Sequence, residues 1–285
     1  MIATFRITAG TRDPLDYFIQ ISQRSVMFNR RTLNTRLRAL LSRDAASRKA
    51  LWAQLKVVDL ARSNKSASHK FAEIYRQELW AKAGVVGGGT ESLSGLGSSL
   101  RSTEIFRQEL QMLIDEHRPR VFFDAPCGDF NWMRTIVFPA SCTYIGGDIV
   151  PSVIFDNQQK YGCGPNGASG SRVFINFDLT SDTFPRADYW LCKDCLQHLC
   201  LADVRAVLAN FASSNVSIAL ISNHDGVVQN IDIDTGDFRH LDLTLPPFNL
   251  PKPRTVMRDT PSDDEPRFVA VWTREEVAQA LALSC

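Results

Sequence analysis

The sequence predicts an α/β fold, a doubly wound and mostly parallel sheet of the Rossmann-like kind with an N-terminal helical extension. Three observations predict it. From residue 120 onward, short apolar runs alternate with stretches of helical periodicity. Glycine or acidic residues stand just after successive apolar runs, where an open α/β sheet holds its ligands. Upstream of residue 85, apolar residues recur at helical spacing among arginines.

The elements follow in order. Leu33, Leu37, Leu40 and Leu41 fall on one helical face, and Leu51, Trp52, Leu55 and Val58 repeat the pattern. Residues 62–69 read as a polar loop, and residues 71–80 as a short helix. The glycine-rich stretch 84–90 reads as a flexible linker. Ser98 and Ser99 are placed to cap a helix that uses Ile105, Phe106, Leu110 and Leu113. Strands are expected at 121–123, 143–146, 173–177, 188–192 and 216–221, with a helix over 202–211. The proline-rich stretch 245–253 is a surface connection and no central strand. A last strand at 268–272 and a short helix from Thr273 complete the chain.

At 285 residues, with 44% apolar and 22% charged residues, the chain has the composition of a soluble globular protein. No apolar run is long enough to span a bilayer, and the N-terminus lacks the apolar core of a secretory signal. The seven cysteines are odd in number and scattered through apolar contexts, which suits free thiols in the cytoplasm. The net charge of +1 hides a division. Residues 1–85 carry 16 Lys/Arg against 6 Asp/Glu, and residues 86–285 carry 16 against 25. Two modules are therefore expected, a basic helical extension (1–85) and a ligand-binding domain (86–285). A basic arm suits nucleic acid, but docking on the chain's own acidic domain is favoured over it.

The residues after each strand are the candidates for chemistry. After the first comes Asp124-Ala125-Pro126-Cys127-Gly128, whose glycine lets backbone approach a ligand, and a following helix is expected to present its free N–H groups. After the second comes Asp148, twenty positions beyond the loop, where a carboxylate accepts both hydroxyls of a ribose. Asp178 follows the third strand, and residues 193–198, from Lys193 to His198, follow the fourth.

With those residues in view, DAPCGDFNWM, YIGGDIVP and ADYWLCKDCLQHLCLADV together resemble the motif set of class I S-adenosylmethionine-dependent methyltransferases. The likeness extends from FAEIYRQELW and ESLSGLGSS to TGDFRHLDLTLPPFNLP, over about residues 71 to 275. It implies S-adenosylmethionine as cofactor. Asp124 and Gly128 would border its methionine part, with Ala125, Pro126 and Trp132 of the same stretch also binding it. Asp148 and Ile149 would hold the ribose side, Asp178 and Leu179 the adenine, and Cys192 to Asp194, including Lys193, the floor beneath the methyl group. The sequence departs from the subgroup after the fifth strand, where Ser222-Asn-His-Asp225 replaces a threonine run.

Methyl transfer asks chiefly for alignment, and for a general base when the acceptor is a hydroxyl. His198, Asp194 and His224 are the candidate bases. The expected acceptor is a hydroxyl on a small molecule or glycan, and nucleic acid is disfavoured because the motif-bearing half is acidic. A non-catalytic cofactor-binding partner protein is the alternative. A nicotinamide dehydrogenase fits poorly, since its fingerprint needs glycines where Pro126 and Phe130 stand. Cys192, Cys195, His198 and Cys200 have the chemistry of zinc ligands but too short a spacing for a zinc knuckle, so no metal is expected.

Overall fold

The computed structural model describes residues 45–83, 90–164, 170–259 and 267–283. The expected helix at Leu33–Leu41 and most of the glycine-rich stretch lie outside them. Seven strands form one sheet in the order β3-β2-β1-β4-β5-β7-β6. They are β1 (Val121–Asp124), β2 (Thr143–Asp148), β3 (Ser171–Asn176), β4 (Tyr189–Cys192), β5 (Ile218–His224), β6 (Thr255–Arg258) and β7 (Arg267–Thr273). The first five pair in parallel; β7 runs antiparallel to both β5 and β6. Strand order reverses between β1 and β4, which opens a crevice at their carboxyl ends.

Both faces of the sheet are covered, so the central strands are apolar without alternation. On one face Phe123, Trp190, Ala219 and Trp272 pack against α6 (Leu201–Ala212) and α7 (Arg274–Leu283). On the other, Phe122, Tyr144, Leu191 and Val269 meet α4 (Glu104–His117) and Ile154 of α5 (Pro151–Tyr161). Helix α4 begins later than the serines suggest. Thr103 is its N-cap residue, while Ser98 ends a separate 3-10 turn over Leu96–Ser98. Phe106, Leu110 and Ile114 form its buried face.

Upstream, α1 (Ala45–Ala61) buries Leu51, Leu55 and Val58 and leaves Trp52 exposed. The loop expected at 62–69 is shorter than anticipated. Ser66 caps α2 (Ala67–Arg76) through the His69 N–H, and α3 (Leu79–Ala83) follows after Glu78 turns left-handed at φ +53°. The expected single helix over 71–80 is therefore two. The buried Lys70 ammonium ties α2 to the Ala61 and Thr235 carbonyls.

Two differences concern the ligand end of the sheet. No α-helix follows Gly128: residues 125–132 form a loop that closes on one 3-10 turn, Met133–Thr135. Gly128 (φ +53°) and Phe130 (φ +56°) are both left-handed, which a right-handed helix cannot absorb, and the second of these turns sends the Phe130 ring between Tyr144, Tyr161 and Phe174. The fifth strand also runs three residues past its expected end. Ser222, Asn223 and His224 pair with Val269, Phe268 and Arg267 and belong to β5, not to a loop beyond it.

Candidate functional site

A cavity of about 450 Å³ opens at the carboxyl ends of the parallel strands, within the usual range for small-ligand sites (roughly 300–1,000 Å³). Asp124, Ala125, Pro126, Gly128, Trp132, Asp148, Ile149, Asp178, Leu179, Lys193, Asp194 and His198 all line it. Strand placement explains why. Asp124, Asp148 and Asp178 stand at the ends of β1, β2 and β3, three neighbours in the sheet.

Asp148 is buried, and its carboxylate accepts the Gly128 N–H at 3.1 Å and the Val150 N–H at 3.0 Å, one on each oxygen. Burial raises its pKa to about 6, with those two N–H groups pulling it down. Asp124 accepts a 2.6 Å hydrogen bond from the Tyr144 hydroxyl. Asp178 Oδ1 accepts from the Thr180 N–H and hydroxyl.

The floor is an ionic cluster. Lys193, almost fully buried, lies 2.6 Å from Asp194 and 3.2 Å from Asp259, and Arg267 joins the same two carboxylates at 3.0 and 2.7 Å. The ammonium also lies about 6 Å from the rings of Phe106 and Trp132. Burial opposes ionisation of Asp194, but Arg267 and Lys193 override it and hold the carboxyl below its ordinary range. A carboxylate so held is a poor proton acceptor, which argues against the expectation of Asp194 as a general base.

His198 is different. Burial lowers its pKa below the usual imidazole value, against a 2.8 Å contact between Nδ1 and the Asp237 carbonyl. A carbonyl only accepts, so Nδ1 carries the proton and Nε2 the lone pair. His224, by contrast, is absent from the cavity wall. It is the buried last residue of β5, its Nδ1 faces the Leu241 backbone, its ring stacks on His240, and burial with His240 lowers it to about 4. Its expected role as a base falls with the extension of β5. Cys192 also stands outside the wall, wholly buried in the sheet core while the side chain of the next residue turns to the cavity. In the cysteine set, Cys200 caps α6 and His198 Nδ1 faces the Asp237 carbonyl, and no group of three or more His, Cys, Asp or Glu placed to hold a metal ion occurs among the described residues.

Sequence reasoning missed the cover. Phe71, Tyr75 and Trp80 from α2 and α3, Ser94 to Ser98, Phe238 and Arg267 complete the wall. Tyr75 and Ser94 hydroxyls meet at 2.7 Å, and Asp129 gathers the Ser92 hydroxyl, the Leu93 N–H and the Ser94 hydroxyl. The four-residue spacing of Phe71 and Tyr75 in FAEIYRQELW was a signal of a shared face. For Arg267, an arginine opening β7, there was none.

No protein-family model matches the chain, and no curated protein matches it. Solved structures do. A SAM-dependent methyltransferase from Leishmania major is 14% identical over 75% of this chain and 86% of its own, with a TM-score of 0.52. Magnesium protoporphyrin IX methyltransferase from Synechocystis, solved with bound SAH, is 12% identical over 73% of this chain and 95% of its own, TM-score 0.48. A Burkholderia thailandensis 1,6-didemethyltoxoflavin-N1-methyltransferase is 15% identical over 74% and 92%, TM-score 0.46. The chain has the Rossmann-like fold of the Leishmania methyltransferase.

Proposed function

We propose that this chain is a methyltransferase that takes its methyl group from S-adenosylmethionine and delivers it to a hydroxyl of a small molecule or glycan. The observation that carries the reading is the row of carboxylates Asp124, Asp148 and Asp178 at the ends of three adjacent strands, all facing one cavity beside a glycine loop. The residues present fit that ligand. Each Asp148 oxygen accepts one N–H and keeps another lone pair for a ribose hydroxyl. Asp124 has the charge for an ammonium. A Cβ at Gly147 would meet Phe123, Phe177 and Ala125 at 3.0–3.2 Å, so the backbone there is already at closest packing beneath the ligand.

When bound, S-adenosylmethionine supplies a methyl on a sulfonium, an electrophile that needs alignment more than activation. The chain's part is to hold the acceptor in line, exclude water under Tyr75 and the Ser92–Ser98 strap, and take the hydroxyl proton at His198 Nε2. Calorimetric titration with S-adenosylmethionine and S-adenosylhomocysteine tests the reading. Both should bind, and Asp148→Ala should weaken them at least tenfold, about 1.4 kcal/mol. A folded protein that binds neither would sink it; binding without turnover on any hydroxyl would leave a cofactor-binding partner protein instead.

A further inference from the structure

We propose that the acceptor is an aromatic hydroxyl, an uncharged flat ring packed against the Trp80–His198–Phe238 wall with its O–H directed at His198 Nε2. This rests on the methyl-transfer reading above and narrows it. Phe71, Trp80, His198 and Phe238 form an unbroken row of rings, with successive centroids 5.9, 5.4 and 5.6 Å apart, and all four line the cavity. The imidazole that holds the free lone pair is thus the middle member of an aromatic surface. Such a surface packs flat rings by offset or edge-on contact.

Most of the polar groups around it are committed to one another, Gln197 Oε1 being a buried acceptor left open. The Tyr75 hydroxyl bonds Ser94, Gln197 Nε2 donates to Asp194, and Asp203 accepts the Thr235 hydroxyl. Lys193 and Arg267 face Asp194 and Asp259. One open acceptor suits a single hydroxyl, whereas a sugar would bury its remaining hydroxyls here without partners, at a cost for each. An anionic acceptor would find both cations matched already.

Base strength points the same way. An imidazole whose protonated form is destabilised by burial is a feeble base. A phenolic hydroxyl ionises near 10, whereas an aliphatic one lies toward the ~15.7 of water, several further units out of reach. In the balanced step the acceptor's O–H proton passes to Nε2 as its oxygen takes the methyl; the sulfonium sulfur keeps the S–CH₃ electron pair and leaves as a thioether. The imidazolium then returns its proton to solvent.

The test uses the full chain saturated with S-adenosylhomocysteine and two probes, 2-naphthol and methyl β-glucoside, followed by calorimetry. 2-Naphthol should bind and the glucoside should not. Phe238→Ala and Trp80→Ala should each weaken 2-naphthol about tenfold or more. Phe238 is 41% exposed, so its truncation does not empty a core. With S-adenosylmethionine present, His198→Gln should suppress methylation of 2-naphthol far more than that of 4-nitrophenol, which is already ionised near neutral pH. Three results overturn the proposal: glucoside binding in place of naphthol, naphthol affinity unmoved in both ring variants, or equal loss on both phenols in His198→Gln. A protein that fails to bind S-adenosylhomocysteine at all, seen in the first titration, removes the methyl-transfer reading and this proposal with it.

Discussion

At Asp124 burial works against the charge. The side chain is 2% exposed, and its pKa rises to about 7 although the Tyr144 hydroxyl donates to it. Raised above its ordinary 3.8, this carboxyl makes the ligand-free fold most stable at low pH, and that contribution fades as pH climbs from about 4 to about 7. A ligand ammonium reverses the preference, because it favours the ionised form. S-Adenosylhomocysteine should therefore bind with release of protons near pH 6, and its affinity should rise from pH 5 to 7 and then level. Tyr144→Phe, which removes the donor, should shift that rise to higher pH. An affinity flat across the range in calorimetry would show that Asp124 does not meet the ammonium. His198 and Asp194, only four residues apart, end with opposite characters, one a neutral base and the other a fixed anion. Sequence alone put them on equal terms, because the difference comes from Arg267 and the Asp237 carbonyl, both distant along the chain.

The glycine loop and the strap above it act as one element. A Cβ on Gly128 would fall 2.4 Å from Ser94 Oγ and 3.3 Å from the Tyr75 hydroxyl, at a backbone φ of +53°. Gly128→Ala should cost about 1–3 kcal/mol in stability and weaken S-adenosylhomocysteine, and pairing it with Ser94→Gly should recover part of the loss. Strictly additive losses in denaturant titrations would refute a shared latch. The strand ends bearing Asp124 and Asp148 were legible in the sequence because burial on both sheet faces leaves plain apolar runs with abrupt polar stops, and Asp178 follows a similar run in the less buried edge strand β3. The missing helix after Gly128 was not, since nothing local reveals that the Phe130 ring is drawn into the core between Tyr144 and Phe174. Nor was the length of β5, which depends on β7, over forty residues away, to pair Ser222–His224.

Across the whole molecule, the Lys193 cluster fastens the antiparallel pair β6 and β7 to the centre of the sheet, joining the end of β4 to Arg267 at the start of β7 and Asp259 just past β6. Gly97 seats the strap on the same cluster: a Cβ there would meet Asp194 Oδ2 at 2.9 Å. Lys193→Met keeps the bulk among Phe106 and Trp132 but leaves two carboxylates to one arginine, and should cost about 3–5 kcal/mol. Adding Asp259→Leu should restore much of it, and a loss below about 1 kcal/mol in the single variant would mean that the cluster is not a fastener. The cover over the cavity comes from α2, α3, the strap and the segment around Phe238, which are far apart in sequence. That scatter is why the floor of the site was readable and its roof was not.

The hydrogen bond from His198 to position 237 has an evolutionary corollary. The imidazole's tautomer is set by a main-chain oxygen, so it does not depend on which side chain stands at position 237. The neighbouring rings Trp80 and Phe238 lie outside the two clusters that pack on the sheet, so a change at either leaves the sheet core intact. On the methyl-transfer reading proposed above, a lineage carrying this chain would keep its proton acceptor while it explores new acceptor molecules.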